Sequence, residues 1–145
     1  MLVLTQIVRP QESIDPDFTL SLSAEDRTRS RHRFTADSGE TLFLRLTRGT
    51  VLRDGDWLQP DSRDCWVRIL AKPEPVLTVT AATPLDLLRA AYHLGNRHVS
   101  LEIASNYLRL SPDPVLKRML EQLGVQVSEE TAPFQPESGA YGHHH

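Results

Sequence analysis

VLTVTAATPLDLLRAAYHLGNRHVSLEIASNYLRLSPDPVLKRMLEQLGVQVS, residues 76–128, decides how this chain folds. Residues 76–81 are rich in β-branched side chains and read as a strand. Thr83-Pro84 then starts a helix, with Thr83 as N-cap, Pro84 at the first helical position and Asp86 in the first turn. Leu85, Leu88 and Tyr92, with Leu87, Ala90, Ala91 and Leu94 beside them, give it helical periodicity. Gly95 and Asn96 tolerate the left-handed backbone of a helix stop and are expected to end it. Residues 99–104 alternate as a strand, Ser105-Asn106 turn the chain, and residues 107–110 return. Pro112-Asp113-Pro114 opens a second helix carrying Val115, Leu116, Met119, Leu120 and Leu123, Gly124 closes it, and residues 125–128 are a last strand. The order is β-α-β-β-α-β, which predicts a ferredoxin-like domain with both helices on one face of a four-stranded sheet.

Upstream the pattern differs. Residues 2–8, 19–22, 27–33, 41–46 and 65–71 read as short strands separated by turns such as Asp37-Ser38-Gly39 and Asp54-Gly55-Asp56. That spacing predicts a small all-β barrel or sandwich. Arg27, Arg29, Arg31 and Arg33 fall at period two, so they are expected to share one strand face and offer a contact surface to an acidic partner. A solvated strand face is the plainer alternative. Lys72-Pro73-Glu74-Pro75 reads as a short stiff linker. The expected organisation is therefore α+β with two domains: an all-β partner-binding-like domain over 1–72, a ferredoxin-like domain over 75–130, and a flexible histidine-ended tail over 131–145, anchored if at all by Phe134.

The bulk numbers exclude several classes. A net charge of −3 gives no basis for general nucleic-acid binding. No apolar run approaches the ~20 residues a membrane span needs. The first residues lack a basic segment followed by an apolar one, and Cys65 is the sole cysteine. A soluble cytoplasmic protein is expected. There is no nucleophile elbow, no phosphate-cradling glycine loop and no HExxH, and the carboxylate pairs Asp54/Asp56 and Glu129/Glu130 lie in turns or the tail, so no enzyme is expected.

The histidines remain. His93 lies in the helix, where packing or capping would explain it. His98 follows the helix stop, at one end of the sheet. One imidazole is a poor metal site, but a two-fold homodimer turns one His98 per chain into two. His143, His144 and His145 could swing over and add ligands. From residue type alone, a terminal His-His-His is as readily the remnant of a purification tag.

LLRAAYHLGNRHVSLEI (87–103), LRLSPDPVLKRMLEQLGV (108–125) and PFQPESGAYGHHH (133–145) together resemble the urease accessory protein UreE family, as do LFLRLTRGTVLRDGD (42–56) and WVRILAKPE (66–74). The resemblance covers nearly the whole chain. It implies a nickel metallochaperone that dimerises through its ferredoxin-like domain. His98, of the GNRH motif, would bind Ni(II) across the dimer axis, and the tail histidines, native on this reading, would add ligands. His93 ranks below them. The ion would pass through a partner accessory GTPase to the urease apoprotein complex. The tail is shorter than in many members, so large storage capacity is not implied. Imidazole must be neutral to bind a metal, so loading should weaken below its ordinary pKa of ~6.5. The same ligands take Zn(II) or Cu(II) in vitro. The rivals are a zinc or copper carrier on this scaffold and a non-catalytic protein-binding module. RNA binding through the sheet would need stacked aromatics, and only Tyr107 is available.

Overall fold

The computed structural model describes residues 1–9 and 13–138. The chain divides into two compact units, the first spanning Met1–Lys72 and the second starting at Pro73.

The first unit has seven strands: β1 (Leu2–Leu4), β2 (Gln6–Val8), β3 (Phe18–Leu22), β4 (Arg31–Thr35), β5 (Thr41–Arg45), β6 (Trp57–Gln59) and β7 (Val67–Ala71). They form two sheets, ordered β1-β5-β4 and β2-β6-β7-β3. Leu4, Leu42 and Leu44 of the first sheet share a core with Leu20, Leu22, Leu58, Val67 and Ile69 of the second. The expected strand over 2–8 is two strands in different sheets. The switch falls at Thr5, whose amide donates to the Gln59 carbonyl at 3.0 Å, the corner by which one segment serves two packed sheets.

The arginine row is not one strand. A short 3-10 turn, Asp26–Thr28, follows Ser23, whose hydroxyl accepts from the Asp26 amide at 3.2 Å. Arg27 sits in that turn, 3% exposed, and donates from Nη1 to the Leu22 carbonyl at 2.8 Å. Arg29 follows it and faces Glu25 and Asp26 at 3.8 and 3.6 Å. Only Arg31 and Arg33 keep the expected strand face, on β4. The local hydrogen bonds of a serine-led turn override period-two spacing.

The second unit is β8 (Pro73–Thr80), α1 (Pro84–Asn96), β9 (Glu102–Ile103), β10 (Leu108–Leu110), α2 (Pro114–Gln122) and β11 (Gln126–Pro133). Its sheet order is β11-β8-β10-β9, antiparallel throughout, which is the ferredoxin-like arrangement. Both helix starts are capped as expected. Thr83 Oγ1 accepts from the Asp86 amide at 3.2 Å, and Asp113 Oδ1 accepts from the Val115 and Leu116 amides at 2.9 and 3.1 Å. Leu87, Ala90 and Leu94 of α1 and Leu120 of α2 pack with Leu77, Val79, Leu108 and Leu110 of the sheet.

Two expectations fail at the edges of this unit. Residues 72–75 are not a free linker, because β8 begins at Pro73, and residues 131–133 are not tail. Pro73, Glu74 and Pro75 pair with Pro133, Ala132 and Thr131 of β11. At this end β10 no longer flanks β8, whose pairing with β10 spans only Leu77–Val79. The ribbon is held by its backbone and mostly exposed, so it shows no hydrophobic alternation, and proline is tolerated at such edge positions. Phe134 beyond it is 2% exposed, and the chain is described to Ser138.

Candidate metal centre

His98 owes its position to the way α1 ends. The helix runs through Gly95 and Asn96, neither of which takes a left-handed backbone. Arg97 is the C-cap, and His98 itself has φ +57°. The His98 amide donates to the Gly95 carbonyl at 3.0 Å and the Val99 amide to the Leu94 carbonyl at 3.3 Å. These two bonds are the Schellman closure, with His98 in the seat that glycine usually takes. A left-handed residue with a Cβ costs ~1–2 kcal/mol. Complete burial of a leucine contributes about 1.5–3 kcal/mol. Leu94 is 0% exposed and Val99 packs against the same core, so packing on either side of the turn outweighs the strain. The result is an exposed imidazole on a short, hydrogen-bonded turn rather than on a loose loop.

The residues before it are arranged in two faces. Leu87, Ala90 and Leu94 point into the core, while Leu85, Leu88 and Tyr92 are 54%, 67% and 66% exposed. Their spacing sets them along one outward stripe of α1. Ile103 on β9 is 51% exposed, and with Leu88, Ala91 and Ala104 it lines a groove between α1 and that strand. His93 lies half-buried in the last turn, edge-on to Tyr92 with ring centroids 5.4 Å apart. Its carbonyl accepts from Arg97 Nη1 at 3.1 Å.

Among the described residues no three His, Cys, Asp or Glu side chains converge as a ligand set. His93 and His98 are therefore the only imidazoles of this unit that the structure places. His143, His144 and His145 lie outside the described residues. His32 lies on β4 beside Phe34, with ring centroids 4.8 Å apart. Burial, reinforced by the charges of Asp17 and Asp64 and a hydrogen bond with Asp17, pushes the Cys65 thiol up to about 11, far from the thiolate a metal or electrophile needs. Asp54 and Asp56 do structural work: Asp56 accepts from the Arg53 amide and Asp54 from the Ala71 amide, both at 2.8 Å.

Sequence reasoning missed Arg45, which lies opposite Arg31 in the β4–β5 register, with Phe43 opposite Arg33. Cross-strand neighbours share a face, so the cationic surface of the first unit is Arg31, Arg33 and Arg45 around Phe43. Arg27 and Arg29 are not part of it. Period-two spacing within β5 was the available signal, but the register that joins it to β4 is a tertiary fact.

No described helix is long and apolar enough to cross a membrane. Residues 4–71 match the family described as UreE urease accessory protein, N-terminal domain, and residues 74–145 match UreE urease accessory protein, C-terminal domain. A urease accessory protein UreE of Nostoc sp. is 59% identical over 145 residues, covering 100% of this chain and 99% of that relative. The protein of the same name from Nostoc punctiforme is also 59% identical, with 100% and 98% covered. That from Thermosynechococcus vestitus is 52% identical over 144 residues, 99% of this chain and 100% of the relative. With both units matched in order and relatives aligned end to end, the chain belongs to the UreE family of urease accessory proteins.

Proposed function

We propose that the protein is a non-catalytic nickel carrier that binds Ni(II) between two copies of itself and donates it during urease maturation. The observation that carries this reading is the pairing of an outward apolar stripe, Leu85, Leu88 and Tyr92, with an exposed histidine held in a rigid turn at the end of the same helix. An exposed patch of this kind seeks a partner. A two-fold contact along α1 that brings the two helix ends together sets one His98 against its copy. Two neutral imidazoles then hold one ion, and His143, His144 or His145, or water, completes the shell. Few protein ligands and an open remainder suit exchange: the ion binds, then passes to an acceptor. Zinc and copper would occupy the same imidazoles. Nickel as the cargo rests on family membership.

Nickel titration by calorimetry tests this, on the chain with His143, His144 and His145 replaced by alanine. The expected result is about one ion per dimer, lost on further His98→Ala. Equal binding by both proteins would remove His98 from the site.

The Arg31, Arg33 and Arg45 face supports a contact with the accessory GTPase or the urease apoprotein complex. Arg31 and Arg45 stand directly opposite each other, and like charges so placed are destabilising. Among the described residues no carboxylate pairs with any of the three, so this cost goes uncompensated among them. An acidic partner surface would relieve it. Arg31→Glu with Arg33→Glu is expected to cut urease activation in cells severalfold while nickel titration stays unchanged. Full activation by the double variant would show that the face is only solvated.

A further inference from the structure

β4 is an edge strand. In its sheet, ordered β1-β5-β4, it pairs with β5 on one side only. In an antiparallel pair every second residue turns both its N–H and its C=O to the partner, and the residues between turn theirs the other way. The Leu46 amide donates to the Ser30 carbonyl at 2.9 Å, and the Ala36 amide to the Glu40 carbonyl at 2.7 Å. Ser30 and Ala36 bracket β4, so His32 and Phe34 between them are the residues that bond β5. Arg31, Arg33 and Thr35 therefore direct their backbone groups to the open side. Among the described residues no hydrogen bond reaches those groups. The open side closes just beyond them, where the Asp37 amide donates to the Thr19 carbonyl of β3 at 2.9 Å.

The side chains follow the same alternation. His32 and Phe34 are half-buried, and Phe34 packs against the core. Arg31, Arg33 and Thr35 are exposed, on the face that Arg45 and Phe43 share. The edge thus presents backbone donors and acceptors with cations on one face and an aromatic pair on the other. An open edge is a template for another strand, and its charges select which. A second copy of β4 fits poorly, because pairing the two edges sets arginine against arginine. A nucleic acid would answer the charges but has no alternating amide and carbonyl to extend the ladder. An acidic stretch of polypeptide answers both.

We propose that β4 takes an extended acidic segment of a partner protein as an additional strand of this sheet. Its backbone pairs with Arg31, Arg33 and Thr35. Carboxylates at alternate positions meet Arg31 and Arg33 on the outer face, and apolar side chains between them lie on the side of His32 and Phe34. Main-chain bonds supply affinity in such an addition, and the alternating side chains supply specificity. The proposal rests on the reading of the arginine face as a partner contact, and adds how that partner is held.

The probe is a blocked synthetic peptide, Thr-Val-Glu-Val-Glu-Val-Thr, added to the full chain. At saturation, amide exchange followed by NMR should slow at Arg31, Arg33 and Thr35. An isomer with its glutamates adjacent should bind severalfold more weakly, because neighbouring residues of a strand point to opposite faces. Thr35→Pro deletes one outward donor and no charge, at an edge position where proline is tolerated. It should weaken the probe by about two- to tenfold, whereas Thr35→Val, which keeps the amide, should not. In cells Thr35→Pro should lower urease activation severalfold with nickel titration unchanged. No binding of the probe, binding without slowed exchange at those amides, equal binding of both isomers, or tighter binding of a mixed-sequence single-stranded RNA would overturn the proposal. Slowed exchange that grows with protein concentration in the absence of probe would give the edge to a second copy instead. Failure of the underlying reading shows separately, as full activation by the Arg31→Glu, Arg33→Glu protein. Reduced activation by that protein beside full activation by Thr35→Pro would keep the arginine contact and remove the added strand.

Discussion

Replacing His98 by glycine is expected to make the protein more stable and, on the proposed function, to abolish its nickel binding. Stability and function separate here because the side chain and the backbone at this position want different things. The Schellman turn needs a residue at φ +57°, which glycine adopts without steric cost and histidine does not. Relief of that strain, less the greater chain entropy of glycine, should amount to about 1 kcal/mol, or about 4–8 °C in the melting temperature of a domain of this size. His98→Ala removes the same imidazole but keeps a Cβ in the left-handed region, so it should gain none of that stability. Thermal unfolding of the three proteins beside nickel titration checks both halves. If glycine proves less stable than histidine, the turn does not store strain. If it binds nickel as well as histidine does, the imidazole is not a ligand. Strain kept at one exposed residue, where the common residue would relieve it, is the pattern expected of a position retained for its chemistry.

Leu88→Asp is expected to have the other large effect. Leu88 is 67% exposed in the middle of the α1 stripe, between Leu85 and Tyr92. Substitution there leaves the helix-side core untouched, because Leu87, Ala90 and Leu94 face the other way. In a two-fold contact each change occurs twice and the two carboxylates face each other, so the dimer dissociation constant should rise by roughly a hundredfold or more. Sedimentation velocity at micromolar concentration should then find monomers. Nickel binding by the protein with alanines at 143–145 should fall with dimerisation, since one His98 alone is a poor site. A dimer that survives Leu88→Asp would place the subunit contact elsewhere. A monomer that still binds nickel tightly would break the link between dimerisation and metal.

Among the elements, those whose partners lie close in the chain were legible beforehand. Thr83-Pro84-Leu85-Asp86 and Asp113-Pro114 start helices by bonds within one turn, and Gly124 takes its expected left-handed backbone at φ +88°. The β-α-β-β-α-β order follows from these starts and from hydrophobic period, which are local properties. His98 was legible as an exposed histidine near a helix end. Its backbone was not: Gly95 and Asn96 looked like the helix stop, and the helix passed through both because Leu94 and Val99 had to reach the same core.

The remaining features depended on residues distant in sequence. Arg27 went inward because the Leu22 carbonyl offered it a bond, and Arg45 joined Arg31 because the β4–β5 register placed it opposite. Residues 131–133 became strand because β8 lay beside them, and just beyond them Phe134 is buried and the Gln135 amide bonds Glu102 of β9. Composition and spacing by themselves determined two units, their fold classes and the histidine worth watching. Tertiary structure alone decided where that histidine's backbone sits, which arginines share a face and where the tail is rooted. The physical reason is that caps and periodicity are set within a turn or two of the chain, whereas register, burial and strain are settled only when distant segments compete for the same core and the same hydrogen bonds.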